Sequence, residues 1–205
     1  MPCRFRSGRI PARRLCVFLV RPYGRTTLIE AALRERAEDL DPVALAEIYD
    51  QYAGKIYSYI YHRTGDAVLA EDLVGDVFVR MLEAVRSDRA WQTSLQGWLY
   101  RIAHNLIVDH FRRATKREGV ELDERWMAAE HPTHTFEGLF ASNQLQLGMR
   151  FLTEEQQQVV VLKFVEGLSN VEVADVLGKS EGAIKALQHR GLSALRRVVS
   201  AHVEA

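Results

Sequence analysis

The sequence predicts an all-α protein of two small helical domains joined by a flexible charged linker, the second domain carrying a helix-turn-helix. Three observations carry that prediction. Apolar residues recur at helical spacing, i, i+3, i+4 and i+7, over most of the chain. No run of alternating apolar and polar residues is long enough to propose a sheet. Between residues 115 and 140 the periodicity stops, and charged residues, a proline and two histidines take its place. With 205 residues, 47% of them hydrophobic, the chain can bury the cores such domains need.

Residues 1–40 read as a basic N-terminal extension, expected to be disordered. Its first 29 residues hold seven arginines and no acid, whereas the rest of the chain is net −7, so any basic surface beyond the extension must be local. Cys3 and Cys16 are the only cysteines and match no zinc or redox spacing, which makes a reduced cytoplasmic compartment the default. The apolar run Leu15–Val20 is six residues long, far short of the roughly 18 a membrane span needs. No membrane insertion is expected.

The first domain spans residues 41–115. Asp41-Pro42 opens its first helix, aspartate as N-cap and proline at the first helical position. Leu45, Ile48, Tyr49, Tyr52, Ile56 and Ile60 form the apolar stripe, and Gly65 ends it. In "AEDLVGDVFVRMLEAV" Leu73, Val74, Val77, Phe78, Met81 and Val85 share one face, and Asp72, Asp76, Val79, Arg80 and Glu83 lie opposite. A loop, residues 86–93, leads to a helix that begins at a Ser94 cap and buries Leu95, Trp98, Leu99, Ile102, Leu106 and Ile107. Its other face shows Arg101, His104, Asn105, Val108 and Arg112, followed by "RRATKR", four basic residues in six. Asparagine is a poor mid-helix residue unless its amide is used, which singles out Asn105.

Residues 116–140 are the linker, and 141–201 the second domain. Thr153 with Gln156 and Ser169 with Glu172 are capping boxes, so helices are expected at about 154–166 and 170–177, with Gly167 and Gly178 as left-handed stops. Ser180 and Glu181 open a third, at about 181–199, whose predicted buried stripe is Ile184, Leu187, Leu192 and Leu195. Its free face carries Lys185, Gln188, His189 and Arg190, with Arg196 and Arg197 further on. A short helix, a glycine turn and a longer helix with such a face look like a helix-turn-helix, in which the second helix reads base edges in the major groove. An ordinary helical hairpin with a solvated face is the competing reading. The local basic enrichment in an otherwise acidic remainder, and the amides that Ser180 leaves near a phosphate position, favour DNA.

Three segments in this order, "AEDLVGDVFVRMLEAV", "WLYRIAHNLIVDHFRR" and "LTEEQQQVVVLKFVEGLSNVEVADVLGKSEGAIKALQHRGLSALRR", resemble bacterial sigma factors of the extracytoplasmic-function (ECF) group, over roughly Asp41 to Arg197. The resemblance implies a non-catalytic subunit that gives core RNA polymerase its promoter specificity. It implies docking on polymerase through Asp72, Asp76, Val79 and Arg80. It further implies binding of the downstream promoter element as a single strand, with Asn105 in a base pocket, Trp91 as a stacking platform, and Arg80, Arg101, Arg112 and Arg113 on phosphates. The upstream element would be read as duplex by Lys185, Ala186, His189 and Arg190, with Ser180 and Gln188 beside them. Many members have arginine or serine where Lys185 and Ala186 stand, which leaves the preferred bases open. An anti-sigma partner is implied as well.

The alternative is a stand-alone helix-turn-helix regulator, which has no use for the Asp72 and Asp76 face or for Asn105. An enzyme finds no support: there is no phosphate-binding glycine loop, carboxylate pair with a partner base, or metal-ligand spacing, and His131-Pro132-Thr133-His134 supplies too few ligands. No cofactor is expected. The linker acids Glu118, Glu121, Asp123 and Glu124 would thread toward the polymerase channel.

Overall fold

The computed structural model describes residues 27–87, 91, 94–118 and 143–203. Among them are eight α-helices and no strand. Residues 1–26 and the linker from 119 to 142, with the two histidines and Glu121, Asp123 and Glu124, lie outside the described residues.

The first domain starts earlier than the sequence reading placed it. Helix α1, Thr27–Glu38, falls within the stretch expected to be disordered, yet Leu33 and Ala37, one turn apart, are buried against the domain. Arg36 fastens the end of α1 by reaching Asp41 at 2.8 Å and Glu47 at 3.5 Å. Asp41 in turn caps α2, Pro42–Thr64, by accepting from the Val43 amide at 3.0 Å. Gly65 stops α2 at φ +70°, a backbone that a Cβ would strain. The next residue, Asp66, caps α3, Ala67–Arg86, by accepting from the amides of Val68 and Leu69.

The predicted stripe of α3 is buried throughout. Helix α4, Leu95–Glu118, begins where the Ser94 hydroxyl accepts from the Gly97 amide at 3.1 Å. It buries Leu95, Leu99, Leu106 and Ile107 as expected, and adds Tyr100 and Ala103. Tyr49 departs from its predicted stripe: it is half exposed and its ring lies tilted against Phe78, with ring centroids 4.8 Å apart.

In the second domain, α5 (Asn143–Met149) precedes α6 (Glu154–Val160), which opens on the Thr153 capping box. The chain then continues through a π-helical turn, Val161–Val165, before Gly167 at φ +76°. Helix α7, Asn170–Leu177, opens on the Ser169 capping box and ends at Gly178, φ +62°. Helix α8, Glu181–Val203, starts where the Ser180 hydroxyl accepts from the Ala183 amide at 3.2 Å. Its buried stripe differs from the predicted one at a single place, because Leu192 is 41% exposed. The position facing the core is Gly191, buried, where an added Cβ would meet Val160 Cγ2 at 3.4 Å and Gln156 Cβ at 3.5 Å. The 3.6-residue turn thus runs 184, 187, 191, 195, and glycine lets α8 approach α6 closely.

The two domains do not stand apart. Val159, Leu162, Leu168, Val173, Ala174, Val176, Ile184 and Leu187 belong to the same buried cluster as the core of α2, α3 and α4. A smaller cluster, Met149, Leu152, Val160, Val161 and Leu195, holds α5, α6 and α8 together. The seam between domains runs chiefly between α4 and α7.

Candidate nucleic-acid interface

Three polar faces remain open once these cores are filled. On α3, Asp72, Asp76, Val79 and Arg80 are all exposed, at i, i+4, i+7 and i+8 on one side, while Leu73, Val74, Val77 and Phe78 point inward. Val79 is 53% exposed, an apolar contact set among charges on a surface that neighbouring helices do not cover.

On α4, Arg101, Asn105, Val108 and Arg112 are exposed at steps of four, three and four residues, and so line one side of the helix. Arg112 reaches Asp109 at 3.1 Å, and Arg113 is exposed beside it. The Asn105 amide can therefore meet a ligand, and cations flank it at both ends. Trp91 corrects the sequence reading. It is 4% exposed and lies against Trp98, ring centroids 5.5 Å apart, so it has no open ring face on which a base could stack. Indole area is most stabilising out of water, and Trp98 at the edge of the α4 stripe gives it an apolar wall. Trp91 belongs to the buried core of the domain.

On α8, Lys185, Ala186, His189 and Arg190 are exposed, Gln188 is half-buried, and Ser180 caps the helix start. Lys185 pairs with Glu181 one turn earlier at 2.7 Å. Arg196 and Arg197 are exposed two turns further along. Small, exposed Ala186 leaves space beside Lys185, which suits close approach to a base edge or its methyl group.

The sequence reading missed a polar set at the seam between domains. Tyr59 and Tyr100 meet edge to face, with centroids 5.3 Å apart, and the Tyr59 hydroxyl is 3.3 Å from His104 Nδ1. Tyr100 donates its hydroxyl to Glu166, the residue that ends the π-helical turn. Gln96 donates to the Glu166 backbone carbonyl at 2.6 Å. Arg63, at the end of α2, grips Glu154, the first residue of α6. Burial pushes the Glu166 carboxyl up, although Tyr100 and Lys55 act against it. Burial also raises the Tyr59 hydroxyl to about 12 and lowers His104 to about 4, the latter helped by the nearby Arg63 charge. Tyr59 and His104 are thus held in their neutral forms at neutral pH. The one hint of this set in the sequence is Gly97, a glycine in the first turns of an otherwise strong helix.

No helix among the described residues is long and apolar enough to cross a membrane, and no three histidine, cysteine or acidic side chains among them come together as a metal site. The Sigma-70 region 2 family matches residues 48–117, and the Sigma-70, region 4 family matches residues 148–197. The chain is 37% identical over 170 residues to the ECF RNA polymerase sigma factor BldN of Streptomyces coelicolor, a match covering 82% of this chain and 64% of BldN. It is 30% identical over 188 residues to the ECF RNA polymerase sigma factor SigW of Bacillus subtilis, covering 82% of this chain and 97% of SigW. It therefore spans just under two thirds of the first relative and nearly all of the second. Among solved structures it is similar to the sigma factor RpoE in complex with the anti-sigma factor NepR from Bartonella quintana, with a TM-score of 0.56 and 20% identity over 76% of this chain and 96% of that one. That likeness is one of fold.

Proposed function

The chain belongs to the ECF group of bacterial RNA polymerase sigma factors, and from that premise we propose how its surfaces divide the work of binding core RNA polymerase and directing promoter recognition and opening. The face of α3 with Asp72, Asp76, Val79 and Arg80 docks on polymerase. Its carboxylates attract a basic partner and steer the encounter, while Val79 supplies apolar contact at the centre. This exposed acidic and apolar face is the observation that carries the reading, because a regulator that met duplex DNA alone would gain nothing from it.

The face of α4 holds the downstream promoter element as a parted strand. Arg101, Arg112 and Arg113 neutralise phosphates and set the register, with Arg80 at the boundary between polymerase and DNA. Asn105 offers a donor and an acceptor to an unstacked base. The face of α8 reads the upstream element as duplex through Lys185, Ala186, His189 and Arg190, while Ser180 holds the helix start toward a phosphate and Gln188 contributes from the edge. The protein works without catalytic chemistry of its own, in the cytoplasm. An anti-sigma factor that covers these faces is its regulatory partner.

The test is reconstitution. Purified protein added to core polymerase is expected to form a complex, and to start transcripts from a promoter whose downstream element is already parted. Asn105→Ala is expected to preserve duplex binding by α8 while impairing opening. Failure to bind core enzyme would overturn the reading.

A further inference from the structure

Helices α2 and α3 double back at Gly65 and Asp66, and the ring contact between Tyr49 and Phe78 sets their register. From that contact toward the turn, Tyr57 lies about 12 Å along α2 and Glu71 about 10 Å along α3, so the two come level. Their proximity is felt at the Tyr57 hydroxyl, which burial raises first and the charge of Glu71 and then Tyr61 raise further. Tyr61 follows one turn beyond Tyr57. The two rings are 6.0 Å apart between centroids and 3° from parallel, so their faces point the same way. Both are half-buried against the core, and Glu71 is exposed.

The face of a tyrosine ring is electron-rich and attracts a cation within about 6 Å of its centre. A guanidinium can lie flat on such a ring while its N–H fork reaches a carboxylate, a combination that an ammonium cannot match. Two parallel rings beside a carboxylate therefore suit arginine. The described residues do not supply one: the single cation over a tyrosine ring among them is Lys55, 5.6 Å from the centre of Tyr52, and Glu71 has no ion-pair partner there. Position indicates the source. Glu71 directly precedes Asp72, and Gly75, Asp76 and Val79 continue the exposed side of α3. A Cβ added at Gly75 would meet nothing within 4 Å, so the backbone is bare there and a partner can approach it closely.

We propose that Tyr57, Tyr61 and Glu71 form a cradle for an arginine of core RNA polymerase, which extends the docking face of α3 onto α2. The inference rests on the docking role proposed above and adds to it a contact of defined chemistry.

Fluorescence titration of core polymerase with full-length protein tests it. Glu71→Gln removes an exposed charge and no packing, and should weaken binding about fivefold; Tyr57→Leu should do the same. Tyr57→Phe, which keeps the ring face, should retain most of the affinity that Tyr57→Leu loses. Because both groups hold one arginine, Glu71→Gln combined with Tyr57→Leu should lose clearly less than the sum of the two. Unchanged affinity in both single variants overturns the cradle, and so do additive losses. Deletion of residues 1–26, which carry seven arginines, should leave the effect of Glu71→Gln in place. If the effect vanishes with the deletion, the chain's own arginines fill the cradle and the proposal falls. The docking role has a separate readout: if Asp72→Asn with Asp76→Asn binds core enzyme normally, that role fails, and the Glu71 and Tyr57 variants still decide the cradle.

Discussion

Arg63 and Glu154 lie 91 residues apart in sequence and form an ion pair across the two domains, with side chains only 12% and 17% exposed. Gln158 donates to the same Glu154 oxygen at 3.1 Å, so the carboxylate is held from both sides. Removing either partner leaves the other charge in a poorly hydrated place. For fully buried pairs that costs about 3–5 kcal/mol, and the residual exposure here lowers the expectation to about 2 kcal/mol. Urea unfolding of Arg63→Ala, Glu154→Ala and the double variant should show the double losing clearly less than the sum of the singles. Additive losses would mean that the pair is not coupled in solution.

The capped helix starts and the three open faces were legible in the sequence because each rests on local chemistry, whereas α1, within the stretch expected to be disordered, was not. Asp41, Thr153 and Ser169 cap where cap residues belong, and Asp72, Asn105 and Lys185 lie opposite apolar stripes whose period fixes their direction. The seam was not legible. Nothing local distinguishes Glu166 from a solvated acid after a helix, and its burial depends on a π-helical turn and on Tyr100, 66 residues earlier. Trp91 was misread for a related reason: a tryptophan in a polar loop has the same sequence signature whether its ring faces a base or Trp98. The exposure of Leu192 follows from choosing the wrong residue of a glycine-leucine pair as the inward position.

The α3 face gives a prediction about salt. Asp72 and Asp76 are exposed, so their contribution to polymerase binding is long-range and screened. Asp72→Asn with Asp76→Asn should weaken binding to core enzyme several-fold at low ionic strength, chiefly by slowing association. The two proteins should converge as salt rises toward about 0.5 M, where the screening length falls to about 4 Å. Fluorescence titration of core polymerase at several salt concentrations checks this, and a salt-independent difference would show that the carboxylates make close, buried contacts instead.

At the upstream face, Lys185 must leave Glu181 to reach a base, since the two are paired at 2.7 Å in the free protein. The pair is an exposed i, i+4 contact, so breaking it costs a few tenths of a kcal/mol at most. Lys185→Ala should weaken binding to the preferred upstream duplex and flatten preference at one base pair by about 1–3 kcal/mol. Competition binding with single-base variants separates the possibilities: an equal loss on all sequences marks Lys185 as a phosphate contact. Glu181→Gln should tighten binding slightly without changing the order of preference.

The buried histidines set the response to acid. Burial lowers both His62 and His104 to about 4 from an ordinary value of 6.5, and His104 faces the Tyr59 hydroxyl and the Arg63 charge. Between those values the unfolded chain binds protons that the folded one does not, so stability is present above about pH 6.5 and is lost as pH falls toward 4. From pH 7.5 to pH 5 each histidine accounts for a loss on the order of 2 kcal/mol. Glu166 acts in the opposite sense: its raised carboxyl contributes stability at low pH that disappears as pH rises through its folded value. Urea midpoints at pH 7.5, 6 and 5 should therefore fall with acidification, less steeply in His104→Gln and more steeply in Glu166→Gln. A flat profile in the unsubstituted protein would mean that His62 and His104 reach water in the folded state.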